Sequence, residues 1–281
     1  VSDASERARL LTQLAFTFID LRQLDGARAK LNEAHTCDAN AEGLDEAIAT
    51  VSYDPSAWEP VINALSQQAE VATGEVRARL LVRAARIYCL QAPEEPAREA
   101  LLRDAVEADP QNDVANFLLE SLLAEQGRTA EIVAVHEGRV AAAREDARAR
   151  LYQHLASLWA IRFVDVGTTA AFYERALRAF YEQGADAFAG HLAAFNFLRE
   201  VWGPQKLWTA LLELADLGLE APILEEDLLI LAGAAGEIAY QELGDVERAA
   251  AYFGWVQRIE ADNEQLLAFL GTHPEAQSLV D

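Results

Sequence analysis

The sequence predicts an all-α fold, a linear array of antiparallel helix pairs, and three observations carry that prediction. The tetrapeptide Arg-Ala-Arg-Leu begins at Arg7, Arg77 and Arg148, at spacings of 70 and 71 residues. Each copy is followed by apolar residues at i, i+3, i+4 and i+7, the spacing of one buried helix face. Alanine supplies 55 of the 281 residues, while the 15 glycines and 8 prolines fall mostly between the periodic segments, a distribution that favours helix strongly. Repetition of this kind marks a quasi-one-dimensional solenoid rather than a closed globule.

Taken in chain order, the first copy places Leu11, Leu14, Ala15 and Phe18 on one face, the second Leu81, Ala84, Ala85 and Tyr88, and the third Tyr152, Leu155, Ala156 and Trp159. The small third position lets a neighbouring helix approach closely, and the aromatic one turn later fills the space beyond. A fourth copy keeps Ala232, Ala235 and Gly236, with Tyr240 displaced by one residue.

A short polar turn is expected after each first helix, at Leu24-Asp25-Gly26, Ala92-Pro93-Glu94, Asp165-Val166-Gly167 and Leu243-Gly244-Asp245. Second helices follow. Their inward positions read Ala27, Leu31 and Ala34; Ala97, Leu101 and Ala105; Ala170, Tyr173 and Ala176; and Ala249, Phe253 and Val256. They stop at Cys37-Asp38-Ala39-Asn40, at Ala108-Asp109-Pro110-Gln111-Asn112 and at Glu260-Ala261-Asp262-Asn263. Proline cannot continue a helix, and Asp or Asn caps the next one.

Between these copies, Trp58, Val61, Ile62 and Leu65 belong to an intervening second helix, and the run from Gly127 to Val133 begins its equivalent about 71 residues on. A further pair runs from about Ala187 to Trp202, turns at Gly203-Pro204 and continues through Leu207, Leu211 and Leu214; a last helix from Asn263 to Leu270 stops at Gly271.

The pattern of large-x2-Leu/Ala-Ala/Gly-x2-aromatic, then Ala-x3-large-x2-Ala, then Asp-Pro resembles the tetratricopeptide repeat, a helix-turn-helix unit of about 34 residues. Seventy residues then hold two units. The resemblance spans essentially the whole chain and implies a right-handed superhelical solenoid of about seven pairs plus a terminal helix. It implies one domain over 1–281, with double-repeat units 1–73, 74–144, 145–220 and 221–281. First helices would line the concave surface.

Composition narrows the function. A formal charge of −23 repels phosphate backbones and anionic headgroups, so neither nucleic acid nor a membrane surface is expected as a partner. A solvated acidic face accounts for the charge. No run of about 20 apolar residues would insert in a bilayer. Cys37 and Cys89 lack metal-binding or redox spacing, and the five histidines are scattered; no metal or other cofactor is expected. Phosphate loops and nucleophile elbows are missing too, which argues against an enzyme. Val1 and the lack of methionine suggest a piece of a longer or processed chain. High alanine and arginine over lysine suit a GC-rich bacterial genome, and the location leans cytoplasmic.

By the resemblance, groove-lining positions are Arg9, Thr12, Gln13 and Phe16; Arg79, Val82, Arg83 and Arg86; and Arg150, Gln153, His154 and Ser157. Arginine recurs where a ligand would lie, and guanidinium binds carboxylate bidentately, so the partner expected is an acidic or carboxylate-ending protein segment. The candidate set is Arg9, Gln13, Arg79, Arg83, Arg86, Arg150 and His154. The chaperone-tail clamp of some tetratricopeptide proteins needs lysine and asparagine at positions that here hold other residues. A second reading keeps the arginines internal, paired with acidic residues of neighbouring helices. Phe195, Phe197, Trp202 and Trp208 read either as a docking surface or as core. The function expected is a scaffold or adaptor; envelope-assembly, motility and polarity complexes are the settings suggested by analogy, and a self-associating structural module is the alternative.

Overall fold

The computed structural model describes residues 3–52, 54–183 and 190–280. The described residues are helical throughout their regular structure and form two compact units, 1–142 and 143–281.

Unit 1 contains α1 (Asp3–Asp20), α2 (Leu24–Cys37), α3 (Leu44–Thr50), α4 (Pro55–Val71), α5 (Gly74–Gln91), α6 (Ala97–Ala108), α7 (Asp113–Glu125) and α8 (Thr129–Ala141). Unit 2 contains α9 (Glu145–Leu158), α10 (Val166–Gln183), α11 (His191–Trp202), α12 (Trp208–Glu220), α13 (Glu225–Glu237), α14 (Val246–Ile259), α15 (Glu264–Thr272) and the short α16 (Gln277–Val280). Successive helices pack as pairs, α1 on α2 through α13 on α14, followed by α15 and the short α16, which packs on α14. Seven pairs plus a terminal helix is the predicted architecture.

The small position of the repeat does what its size requires. Ala15, Ala85 and Ala156 are fully buried, and a Cβ added to Gly236 would stand 2.9 Å from the Phe253 ring of the partner helix. Asn112 and Asn263 cap α7 and α15, as their place before a helix suggested. The core of unit 2 is rich in rings, among them Phe172, Phe180, Phe195, Trp202, Phe253 and Phe269. Phe195 and Trp202 are therefore core, with Phe197 and Trp208 packed against it.

The turns within pairs differ from the sequence reading. The first turn is Leu21–Gln23, three residues ahead of Leu24-Asp25-Gly26. Gly26 instead sits inside α2, where a Cβ would come 3.0 Å from the Phe18 ring. Five turns share one device, a residue in the left-handed region: Arg22, Gly127, Val164, Lys206 and Gly244. After Arg22, Gly127 and Lys206, the next N–H donates to the carbonyl five residues back, as Gln23 does to Phe18 and Arg128 to Leu123.

Helix α9 and helix α13 end differently, in π-turns over Trp159–Phe163 and Ile238–Glu242. There the closing bond reaches six residues back, from Asp165 to Trp159 and from Asp245 to Ala239. One extra residue is thus accommodated, and it brings Tyr240 rather than Ala239 to the ring cluster with Phe269 and His273.

Three smaller differences remain. Gly271 lies inside α15, which ends at Thr272. Ala187 lies outside the described residues, and the pair it was expected to open starts at His191. In α6 the buried stripe is Arg98, Leu102 and Ala105, one residue later than Ala97 and Leu101.

Candidate functional site

Helix α5 shows how the repeat positions divide. Val82 is buried, as is Thr12 at the equivalent place in α1, where its Oγ1 donates to the Ala8 carbonyl at 2.9 Å. These two positions therefore serve packing and helix bonding. Arg83 instead reaches across to α3, where its guanidinium clasps the buried Glu46 carboxylate. That hydrogen-bonded partner raises the Arg83 pKa against the opposing effect of burial. Arg86 reaches α1, donating Nε and Nη2 to the two oxygens of Asp20 at 2.8 and 2.7 Å, and lies 5.3 Å over the Phe16 ring.

Both arginines thus tie one first helix to the preceding first helices, α1 and α3, rather than to a second helix. Each pair joins a planar fork to a carboxylate in a partly dry setting, the geometry in which such bonds are strongest. Gln91 adds a bond from the end of α5 to the Thr50 carbonyl.

The outer positions behave otherwise. Arg9 is exposed and paired within its own helix to Glu6 at 2.7 Å; that hydrogen bond holds the Glu6 carboxyl below its usual range. Arg79 is 61% exposed, with Glu75 at 3.9 Å in its own helix. Gln13, Arg150 and His154 are exposed on α1 and α9. The seven candidates therefore separate into two anchored arginines, Arg83 and Arg86, and five side chains open to solvent.

Reasoning from sequence missed three residues at this site, Asp20, Glu46 and Arg98. The first two are ordinary acidic residues until the fold brings them to α5. Arg98 carried a signal: it stands four residues before Leu102 and seven before Ala105, on the stripe that must be buried. It is 8% exposed.

Arg98 lines a cavity of about 210 Å³ in unit 1, together with Asp20, Arg22, Arg86, Cys89 and Phe117. Burial pushes the Cys89 thiol up, with nearby Arg98 and Arg22 acting the other way. Unit 2 has its own buried polar groups: Tyr181 Oη lies 3.1 Å from His191 Nδ1, whose Nε2 is 3.1 Å from Asp227. Among the described residues no cluster of three or more His, Cys, Asp or Glu could hold a metal ion. Among the described residues no helix is long and apolar enough to cross a membrane.

No protein-family model matches the chain, and no curated protein matches it significantly. Among solved structures the chain is similar to one described as the functional characterization of Pseudomonas aeruginosa pilF. That likeness has 14% identity, covers 96% of this chain and 100% of the other, and has a TM-score of 0.30.

Proposed function

We propose that this chain is a non-enzymatic scaffold that holds an acidic segment of a partner protein against its first helices. The observation that carries this reading is the exposure of the second arginine of each signature. Arg9, Arg79 and Arg150 stand exposed at the same position of their helices, and the glutamates beside Arg9 and Arg79 belong to the same helix as the arginine. Gln13, one turn on from Arg9, extends the polar face of α1, and His154, one turn on from Arg150, does the same on α9. Arg83 and Arg86 hold α1, α3 and α5 in place. The resemblance to tetratricopeptide repeats supports the same reading.

Selection of a displayed random peptide library tests it. The wild-type protein should enrich acidic sequences, and the triple variant Arg9→Glu, Arg79→Glu, Arg150→Glu should lose that enrichment while keeping its circular dichroism. Equal enrichment by both proteins would remove the proposal.

Self-association is a second reading, favoured by one observation. Leu10 and Leu14 are 51% and 41% exposed on α1, whereas their repeat equivalents in α5, Leu80 and Ala84, are buried on a helix that packs against α4. A second copy covering that face would raise the scattered mass with concentration; a constant monomer mass from micromolar to millimolar protein excludes it.

A further inference from the structure

Arg98 is the buried side chain for which the fold of unit 1 supplies no answering charge. It is the second residue of α6, in the turn where the helix dipole is positive and a cation is disfavoured. No carboxylate of the described residues lies within ion-pair distance of it. The two carboxylates of the cavity lining are already engaged, Asp20 by Arg86 at 2.7 Å and Glu125 by Arg22 at 2.9 Å. Its neighbour Glu99 is turned to Arg103 and Arg128. Cys89 gives no charge either, since burial favours its protonated thiol.

Burying a guanidinium that has a neutral thiol but no carboxylate beside it is costly, and a chain rich in carboxylates would relieve that cost by one substitution nearby. The cavity beside it, about 210 Å³, is smaller than the roughly 300–1,000 Å³ that drug-sized ligands occupy. It suits one side chain. Its rim carries two exposed apolar side chains, Leu21 at 55% and Phe117 at 41%, beside the exposed Arg22–Glu125 pair.

We infer that the cavity between α1, α5, α6 and α7 receives the carboxylate of a Glu or Asp side chain from a partner segment, with Arg98 as its charge partner and Leu21 and Phe117 seating the flanking apolar residue. This rests on the proposed scaffold function and assigns one anchor point to it, on a second helix rather than among the exposed arginines of the first helices.

The test uses two pools of fluorescein-labelled octapeptides with random flanks, one fixed at Glu-Leu in the centre and the other at Gln-Leu, read by fluorescence anisotropy. Wild type should bind the Glu pool at least about tenfold more tightly, the value of one charge-assisted bidentate bond. Arg98→Gln should erase that preference. Arg98→Met should erase it too, with a urea midpoint equal to or above wild type, because an unpaired buried cation has gone. A lowered midpoint in both variants would assign Arg98 to packing and overturn the inference. So would equal binding of both pools by wild type, or displacement of the Glu pool by millimolar inorganic phosphate, which marks a general anion site. A Glu preference that survives Arg98→Gln but is lost in the Arg9, Arg79 and Arg150 reversal would overturn the cavity while leaving the scaffold reading intact.

Discussion

Unit 1 and unit 2 share one helix-pair plan and secure it by different chemistry. In unit 1 the helices are laced by guanidinium-carboxylate pairs: Arg86 to Asp20, Arg83 to Glu46, Arg22 to Glu125, Arg103 to Glu131 and Arg128 to Glu99. In unit 2 two interhelical arginine pairs are longer, 3.7 Å for Arg178 with Glu213 and 3.5 Å for Arg199 with Glu237, and the short one, Arg248 with Asp216 at 2.9 Å, shares its carboxylate with a tyrosine. Tyrosines contribute there as well. Tyr252 Oη donates to Asp216 at 2.5 Å beside Arg248, and Tyr181 meets His191 over an aromatic core. A repeat thus constrains which positions are small and which are large, and leaves open how polar groups between the pairs are satisfied.

The sharpest way to break this comparison is to remove a ring from unit 2. Phe253 is 2% exposed and stacks on Phe269 with centroids 4.7 Å apart, so Phe253→Ala should cost about 3–5 kcal/mol. Trp58 is the single tryptophan of unit 1 and the other four lie in unit 2. Urea unfolding followed by fluorescence in a Trp58→Phe background should therefore report the whole loss. A loss seen equally by Trp58, in a second background in which the other four tryptophans are replaced by Phe, would mean that the two units unfold as one.

Arg86→Met makes the matching cut in unit 1, and should cost about 2–3 kcal/mol by leaving Asp20 unpaired. Adding Asp20→Leu should restore most of it, as measured by the urea midpoint. If the double variant is no better than the single one, Arg86 acts through packing on Phe16 rather than through charge.

A smaller effect separates the units by backbone alone. Unit 1 closes the turn after α7 with Gly127 at φ +69°, whereas unit 2 closes the turn after α9 with Val164 at φ +52°. A β-branched residue is disfavoured there, so Val164→Gly should stabilise by about 1 kcal/mol and Gly127→Ala should destabilise by about as much. Thermal melts would show opposite shifts, and shifts of the same sign would contradict the turn assignment.

Titration sharpens the contrast without a large change at neutral pH. The hydrogen bond from Arg128 holds the Glu131 carboxyl down to about 2, and the same arginine lowers Glu99. A carboxyl depressed in the folded state contributes stability above its ordinary value, near 4.5, and loses it as pH falls toward 2. Unit 1 should therefore weaken through that window. Tyr181 and Tyr252 are raised, by burial first. Their contribution is complete below pH 10, the ordinary tyrosine value, and lost as pH rises above it, so alkali should weaken unit 2. Urea midpoints from pH 2 to 11 with the tryptophan reporters, in a Cys89→Ala background that removes the raised thiol of unit 1, would settle the assignment; an alkaline loss confined to unit 1 would refute it.

Much of this fold was legible because packing repeats. Ala15, Ala85 and Ala156 could be picked from spacing alone, since a close helix approach admits little else. Helix ends marked by Asp-Pro or Asn were equally plain. Turns were read less well: the left-handed position falls on Arg22 and Val164, whose residue types give no hint of it, while Gly26 and Gly167 are helical. The site was legible in half. The recurrence of arginine pointed to α1, α5 and α9, yet nothing local distinguishes Arg79, open to solvent, from Arg83, clasped by Glu46 37 residues away. Partner choice over such distances depends on the assembled fold. Arg98 was hidden by a stripe read one residue early.

The two π-turns carry a consequence for how such a chain can change over time. Each lets a first helix gain one residue while the second helix still begins just after the left-handed turn. Single-residue insertions at these ends are absorbed locally, so the repeats can drift in length without loss of pairing. A search that assumes a constant period falls out of step at each one, whereas a search that resets at every left-handed turn keeps its frame.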